Sequence, residues 1–180
     1  MDTTAAILLR RTKLSDTSLI ITWFTEAHGK LKTVAKGARR PKSPFAGKLD
    51  LFFDAEISFA RSRKSELHTL REVVLKNARE GLRTEYRRVQ LAAYFVELIE
   101  LVTEPDHPAP ELHDLLKRGL DYLDANPPTK KALLHFESEL TRLLGIRDKK
   151  QTSAARAIGH VAGRLPAGRK ELLEKLGAGN

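Results

Sequence analysis

The sequence predicts an α+β protein, with a five-stranded β-barrel over residues 1–78 and an all-α helical bundle over residues 79–180. Three observations predict it. Short apolar runs of period two, separated by turn residues, fill the first 76 residues, whereas from Leu82 onward apolar residues recur at a helical period. The charge divides along nearly the same line: the formal net charge is +9, and residues 1–80 hold 16 basic against 9 acidic side chains. Within that half, residues 28–48 carry seven Lys or Arg and no acidic residue.

The strands follow in order. Residues 4–11 form the first, and residues 18–25, with Leu19, Ile20, Ile21, Trp23 and Phe24, the second. The turn Glu26-Ala27-His28-Gly29 joins it to a third over 30–38, with Gly29 able to take positive φ. There Lys30, Lys32, Val34 and Lys36 share one face and Leu31, Thr33 and Ala35 the other, so three lysines point the same way. The clearest alternation runs over 50–60: Leu51, Phe53, Ala55, Ile57 and Phe59 inward, Asp54, Glu56 and Ser58 outward to solvent. A basic turn, Arg61-Ser62-Arg63-Lys64-Ser65, leads to a fifth strand over 67–76, whose pattern slips midway and predicts a bulge. Five such strands, the third running into a long basic loop, fit an OB-type Greek-key barrel, with an SH3-like barrel the nearest competitor.

Beyond Leu82 the reading is helical. Residues 82–103 are apolar around most of the circumference, as befits the central helix of a bundle. Pro105, Pro108 and Pro110 end it. Residues 111–125 place Leu112, Leu115, Leu116, Leu120 and Leu123 on one stripe, and residues 130–144 repeat the pattern with Leu133, Phe136, Leu140, Leu143 and Leu144 before Gly145. A weaker helix over 152–162 and a helical turn over 171–176 complete the tail.

Enzyme readings lack parts. The histidines stand apart, with no His-x-x-x-His pair; Asp106, His107, His113 and Asp114 read as scattered surface groups, and Asp54 and Glu56 as a solvated strand face. There is no Gly-x-Ser-x-Gly elbow and no phosphate-cradling Gly-x-x-x-x-Gly-Lys loop. The absence of cysteine excludes disulfides and Cys-ligated zinc. The expectation is a non-enzyme with no catalytic, cofactor or metal residues. With no signal-like N-terminus and no apolar run of roughly 18 residues, it is expected to be cytoplasmic and away from membranes.

The basic ridge points to a polyanion. Its candidate contacts are Lys30, Lys32, Lys36, Arg39, Arg40, Lys42 and Lys48, joined by Arg61, Arg63 and Lys64 of the later turn. Arg39 and Arg40 offer planar forks to phosphate, Lys36 and Lys42 point charges. Stacking on bases requires exposed rings; Phe45, within the loop, is the candidate, with a loop anchor as its other reading. No recognition helix or zinc finger accompanies the patch, so nothing specifies base sequence. Two further readings stand beside a DNA-handling one: a general OB-type accessory factor of translation or transcription, and a scaffold meeting acidic protein.

The run Ala6-Ile7-Leu8-Leu9-Arg10-Arg11, then Leu19-Ile20-Ile21-Thr22-Trp23-Phe24-Thr25-Glu26-Ala27-His28-Gly29-Lys30, then Val34-Ala35-Lys36-Gly37-Ala38-Arg39-Arg40-Pro41-Lys42-Ser43, resembles the RecO family of bacterial recombination mediators. Tyr94-Phe95-Val96-Glu97-Leu98 and Phe136-Glu137-Ser138-Glu139-Leu140-Thr141-Arg142-Leu143-Leu144-Gly145 are similar to the family's helical domain. The resemblance implies an OB-fold that binds single- and double-stranded DNA, annealing of complementary strands, and loading of RecA onto gaps in the RecF pathway. It implies partners: RecR, RecA and the C-terminal tail of single-stranded-DNA-binding protein. It also implies a nucleoid-associated location and DNA contacts at Lys36, Arg39, Arg40 and Lys42. Many members carry a four-cysteine zinc module after the Leu-Leu-Gly motif; here Leu143-Leu144-Gly145-Ile146 runs into Arg147-Asp148-Lys149-Lys150-Gln151 without cysteine.

Overall fold

The computed structural model describes residues 1–147 and 153–178. Strands β1 (Asp2–Lys13), β2 (Leu19–Thr25), β3 (Gly29–Ala35), β4 (Asp54–Ala60) and β5 (Leu67–Asn77) close into a barrel in the order β1-β2-β3-β5-β4. β1 pairs antiparallel with β2 from Ala6↔Thr25 to Lys13↔Leu19 and with β4 from Asp2↔Phe59 to Ile7↔Asp54. A register shift between Leu8 and Arg10 lets one long strand serve both partners. β3 meets β5 in parallel, from Lys32↔Leu67 to Val34↔Thr69. This is the five-stranded OB barrel.

Alternation selects the interior. Ile21 and Trp23 from β2, Leu31 and Ala35 from β3, and Ala55, Ile57 and Phe59 from β4 fill the core with Leu70 and Val73 of β5. Trp23 is wholly buried, and its indole N–H donates to Thr33 Oγ1 at 2.9 Å, so the one polar atom of the ring is satisfied inside. The slip expected in the fifth strand is present as register shifts against β4 between Asp54 and Ala55 and between Ser58 and Phe59.

The strand over 50–60 is corrected at its start and on its outer face. Phe52 sits at φ +69 in a turn that leaves Leu51 exposed, and the strand begins only at Asp54. Asp54 and Ser58 are buried, not solvated. Ser58 Oγ shares a hydrogen bond with Thr3 Oγ1. Asp54 lies 3.9 Å from the guanidinium of Arg79, which is 0% exposed and donates to the Phe52 carbonyl. A buried cation thus finds a carboxylate and a carbonyl together.

The chain forms two compact units: Met1–Arg79 with Thr103–His113, and Glu80–Val102 with Asp114 onward. In the first, the segment after Val102 lies along the start of β3. Asp106 N–H donates to the Lys30 carbonyl at 2.9 Å, and Lys30 bridges Pro105. Gly29, at φ +69, passes so close that a Cβ there would stand 1.9 Å from the His107 carbonyl oxygen.

The second unit holds a 3-10 turn (Glu80–Thr84), α1 (Tyr86–Val102), most of α2 (Pro110–Ala125), α3 (Lys130–Leu143), α4 (Ala154–Ala162) and α5 (Arg169–Gly177). The expected helix over 82–103 is therefore a 3-10 turn followed by α1, and the turn over 171–176 is a full helix. Thr152, the expected start of α4, and Asp148–Gln151 of the zinc-module position lie outside the described residues. Thr129 Oγ1 caps α3 by accepting from Ala132 N–H at 3.1 Å. At its other end Gly145 takes φ +66, with its N–H on Arg142 O and that of Ile146 on Thr141 O, a Schellman closure. The rings of Phe95 and Phe136 stack at 3.9 Å, and Gly119 has no side chain to intrude on them. Glu137, 1% exposed, accepts from Tyr94 OH at 2.5 Å and from Arg169 Nε and Nη2 at 2.6 and 2.9 Å. Burial, then the bond to Glu137, pushes the Tyr94 phenol well above its ordinary value. Among the described residues no helix is long and apolar enough to cross a membrane.

Candidate nucleic-acid interface

β3 ends at Ala35, earlier than residue 38, because Gly37 turns the chain at φ +68 and Ala38 N–H returns to the Ala35 carbonyl. From there residues 36–53 run as successive tight turns: Arg40 N–H to Gly37 O, Ser43 to Arg40, Ala46 to Ser43 and Lys48 to Phe45. Pro41 and Pro44 between them suit such a path. The loop is pinned at two places. Its start docks on the β1–β2 loop through Arg39 N–H to Thr17 O at 3.0 Å and Gly37 N–H to Ser18 Oγ at 3.3 Å. Its later part drops Phe45 and Leu49 into the barrel core, and from outside it Arg11 Nη1 donates to the Leu49 carbonyl at 2.8 Å.

Those pins sort the candidates. Phe45 is 6% exposed, so of its two readings the structure shows the loop anchor, drawn in by the apolar interior beneath it, and not a ring free to stack on bases. Arg39 spends its Nη1 on the carbonyls of Ser15 and Asp16, at 3.2 and 3.3 Å. Arg61 is engaged by Asp2 at 2.5 Å and lies 2.8 Å from His28 Nδ1. That hydrogen bond holds the Asp2 carboxyl below its ordinary value. Lys30 Nζ donates to the Thr103 carbonyl at 3.1 Å. Lys32, Lys36, Arg40, Lys42, Arg63 and Lys64 are exposed, Lys48 is half-buried, and none of the seven forms an ion pair among the described residues.

The fold gives these cations a common setting. OB barrels bind oligonucleotides on the outer face of strands 2 and 3 and on the β1–β2 and β4–β5 loops. Lys32 projects from that face opposite Thr22, Arg63 and Lys64 lie in the β4–β5 loop, and Lys36 to Lys42 follow directly from β3. Sequence reasoning missed the β1–β2 side. β1 runs on to Lys13, which pairs with Asp16 at 3.0 Å in the loop that receives Arg39. The Arg10-Arg11-Thr12-Lys13 run was the available signal.

The second unit has a cavity of about 480 Å³ with an apolar floor of Phe95, Leu115 and Phe136 and with Arg118, Lys131 and His135 among its walls. Among the described residues no group of three or more His, Cys, Asp or Glu stands together as a metal site.

Barrel, strand order and a following helical unit define an OB-barrel protein with an appended bundle. The family profile "Recombination protein O N terminal" matches residues 1–79 and "Recombination protein O C terminal" matches residues 83–147. The chain belongs to the RecO family. Relatives bear this out: it is 35% identical over 140 residues to the DNA repair protein RecO of Rhodopirellula baltica, covering 78% of this chain and 52% of the relative. The RecO of Desulfatibacillum aliphaticivorans is 36% identical over 123 residues, 68% of this chain and 48% of that one. That of Methylococcus capsulatus is 34% identical over 140 residues, 78% and 56%. The chain thus spans about half the length of the curated relatives it matches.

Proposed function

We propose that this chain binds single- and double-stranded DNA through its barrel and acts, without a catalytic step, as a mediator that anneals complementary strands and assists RecA loading in the RecF pathway. The observation that carries the proposal is the set of exposed cations on β3 and the turns after it that form no ion pair among the described residues: Lys32, Lys36, Arg40 and Lys42. Contacts of this kind hold phosphates and leave base edges unread, so two coated strands keep their pairing faces available while their mutual repulsion is reduced. Four such contacts predict that log K falls with log salt at a slope of about 2.8 for single strands. An annealing assay with fluorescent complementary strands tests the reading. The parent accelerates annealing, and the triple variant Lys36→Ala/Arg40→Ala/Lys42→Ala loses it. Binding without annealing favours a general OB-type accessory factor instead.

In this reading residues 1–78 handle DNA and residues 79–180 meet the partners RecR, RecA and the tail of single-stranded-DNA-binding protein, in a nucleoid-associated, cytoplasmic setting. The cavity over Phe95 and Phe136 supports the last of these: an apolar floor with Arg118, Lys131 and His135 beside it suits a peptide with an apolar anchor and acidic side chains. Lys131→Glu should weaken the tail peptide at least tenfold in a polarisation titration and leave DNA binding at the parent's value.

A further inference from the structure

The outer face of β2 and β3 is not equally open along its length. Cross-strand pairs step along it from Ile20↔Val34 through Thr22↔Lys32 to Phe24↔Lys30. At the last pair the chain itself occupies the site. Pro105 bridges Lys30, Asp106 N–H donates to the Lys30 carbonyl at 2.9 Å, and Lys30 Nζ reaches back to the Thr103 carbonyl at 3.1 Å. Phe24 is 0% exposed, with the His113 ring 5.7 Å away. Gly29 has no room for a side chain beneath His107. This segment also carries two carboxylates: Glu104, with its side chain 83% exposed, and Asp106, whose Oδ1 lies 3.9 Å from His68 Nε2. One step along the face, Lys32 is exposed and forms no ion pair among the described residues.

We propose that residues 103–107 form a fence that ends the nucleic-acid track on this barrel. A single strand is held from Lys32 onward to Lys36, Arg40 and Lys42, and the Phe24↔Lys30 end is closed to it. To reach Lys30 a phosphate would have to displace the lysine–carbonyl contact to a segment that is itself bonded along the edge of β3, and then sit beside two negative charges. The wall and the charges act in the same direction, which fixes both the length of the site and the side from which a strand enters. The inference rests on the barrel being the DNA-binding surface.

The test uses the full chain and oligothymidylate. Hydrogen exchange is followed at the Asp106 amide and across residues 32–42, with and without saturating oligonucleotide. The fence predicts that Asp106 stays as protected as in the unbound protein while residues 32–42 gain protection. Faster exchange at Asp106 on binding would overturn it, since the strand would then be displacing the segment. Asp106→Pro removes the amide donor and forbids the φ of +56 found there, whereas Asp106→Asn keeps both and deletes only the charge. Release of the segment in Asp106→Pro should let Lys30 join the track and steepen the salt slope by about 0.7, with Asp106→Asn changing it by less than half as much. An Asp106→Pro slope equal to the parent's also overturns the fence. A parent that binds no oligonucleotide overturns the reading of the barrel itself, and so is told apart from failure of the fence alone.

Discussion

Single residues carry two opposite electrostatic roles in the barrel. Arg79 is a cation taken wholly out of water and matched by Asp54 and the Phe52 carbonyl. Removing the carboxylate takes a counter-charge from a buried guanidinium, so Asp54→Ala should destabilise the barrel by about 1–3 kcal/mol in urea unfolding. Arg61 is the contrasting case, an exposed cation already engaged by Asp2. Asp2→Asn should release it to a phosphate, tightening oligothymidylate and adding about 0.7 to the salt slope. Because the Asp2 carboxyl titrates below its ordinary value, the pair's contribution is present at neutral pH and is lost only as pH falls through that lowered value. The same competition should therefore vanish in acid, seen as parent and variant binding converging below the carboxylate range. Of all these residues the sequence showed the cations plainly, but not their partners. Asp54 looks like a solvated strand residue by parity, and only the distant Arg79 explains why it is not.

Elements were legible wherever their own periodicity decides their burial. β2, β3 and the helices with leucine stripes fall within a few residues of where alternation and helical spacing put them, because each buries one face against the core of its own unit. Ends were legible where the terminator is local, as at Gly145, whose positive φ closes α3. The start of the same helix depends on one hydroxyl: Thr129→Ala should lower the melting stability by about 1 kcal/mol, measured by thermal unfolding. The loop after β3 was legible as basic but not as anchored, since nothing in its turns announces that Phe45 reaches the core across the barrel mouth. The segment around Pro105 was readable only as a helix terminator. Its place along β3 gives Gly29 a second role besides the turn, since a side chain there would meet the His107 carbonyl.

At the scale of the whole chain, residues 1–80 hold most of the excess positive charge, and the helical unit is held by a different device. Glu137 is buried and depends on Arg169 of α5, beyond the family-matched residues, for two of its hydrogen bonds. Arg169→Ala should therefore cost the helical unit about 3 kcal/mol or more, read by far-ultraviolet circular dichroism during urea unfolding. The barrel should be unmoved by it, which requires a probe that sees the barrel alone. Trp23 supplies one. It is the chain's sole tryptophan, wholly enclosed in the barrel and bonded through its indole to Thr33. Its emission is expected to be blue-shifted, shielded from iodide and silent to a strand bound outside. A red shift then records the opening of the barrel and nothing else, giving each unit its own optical channel in one unlabelled sample.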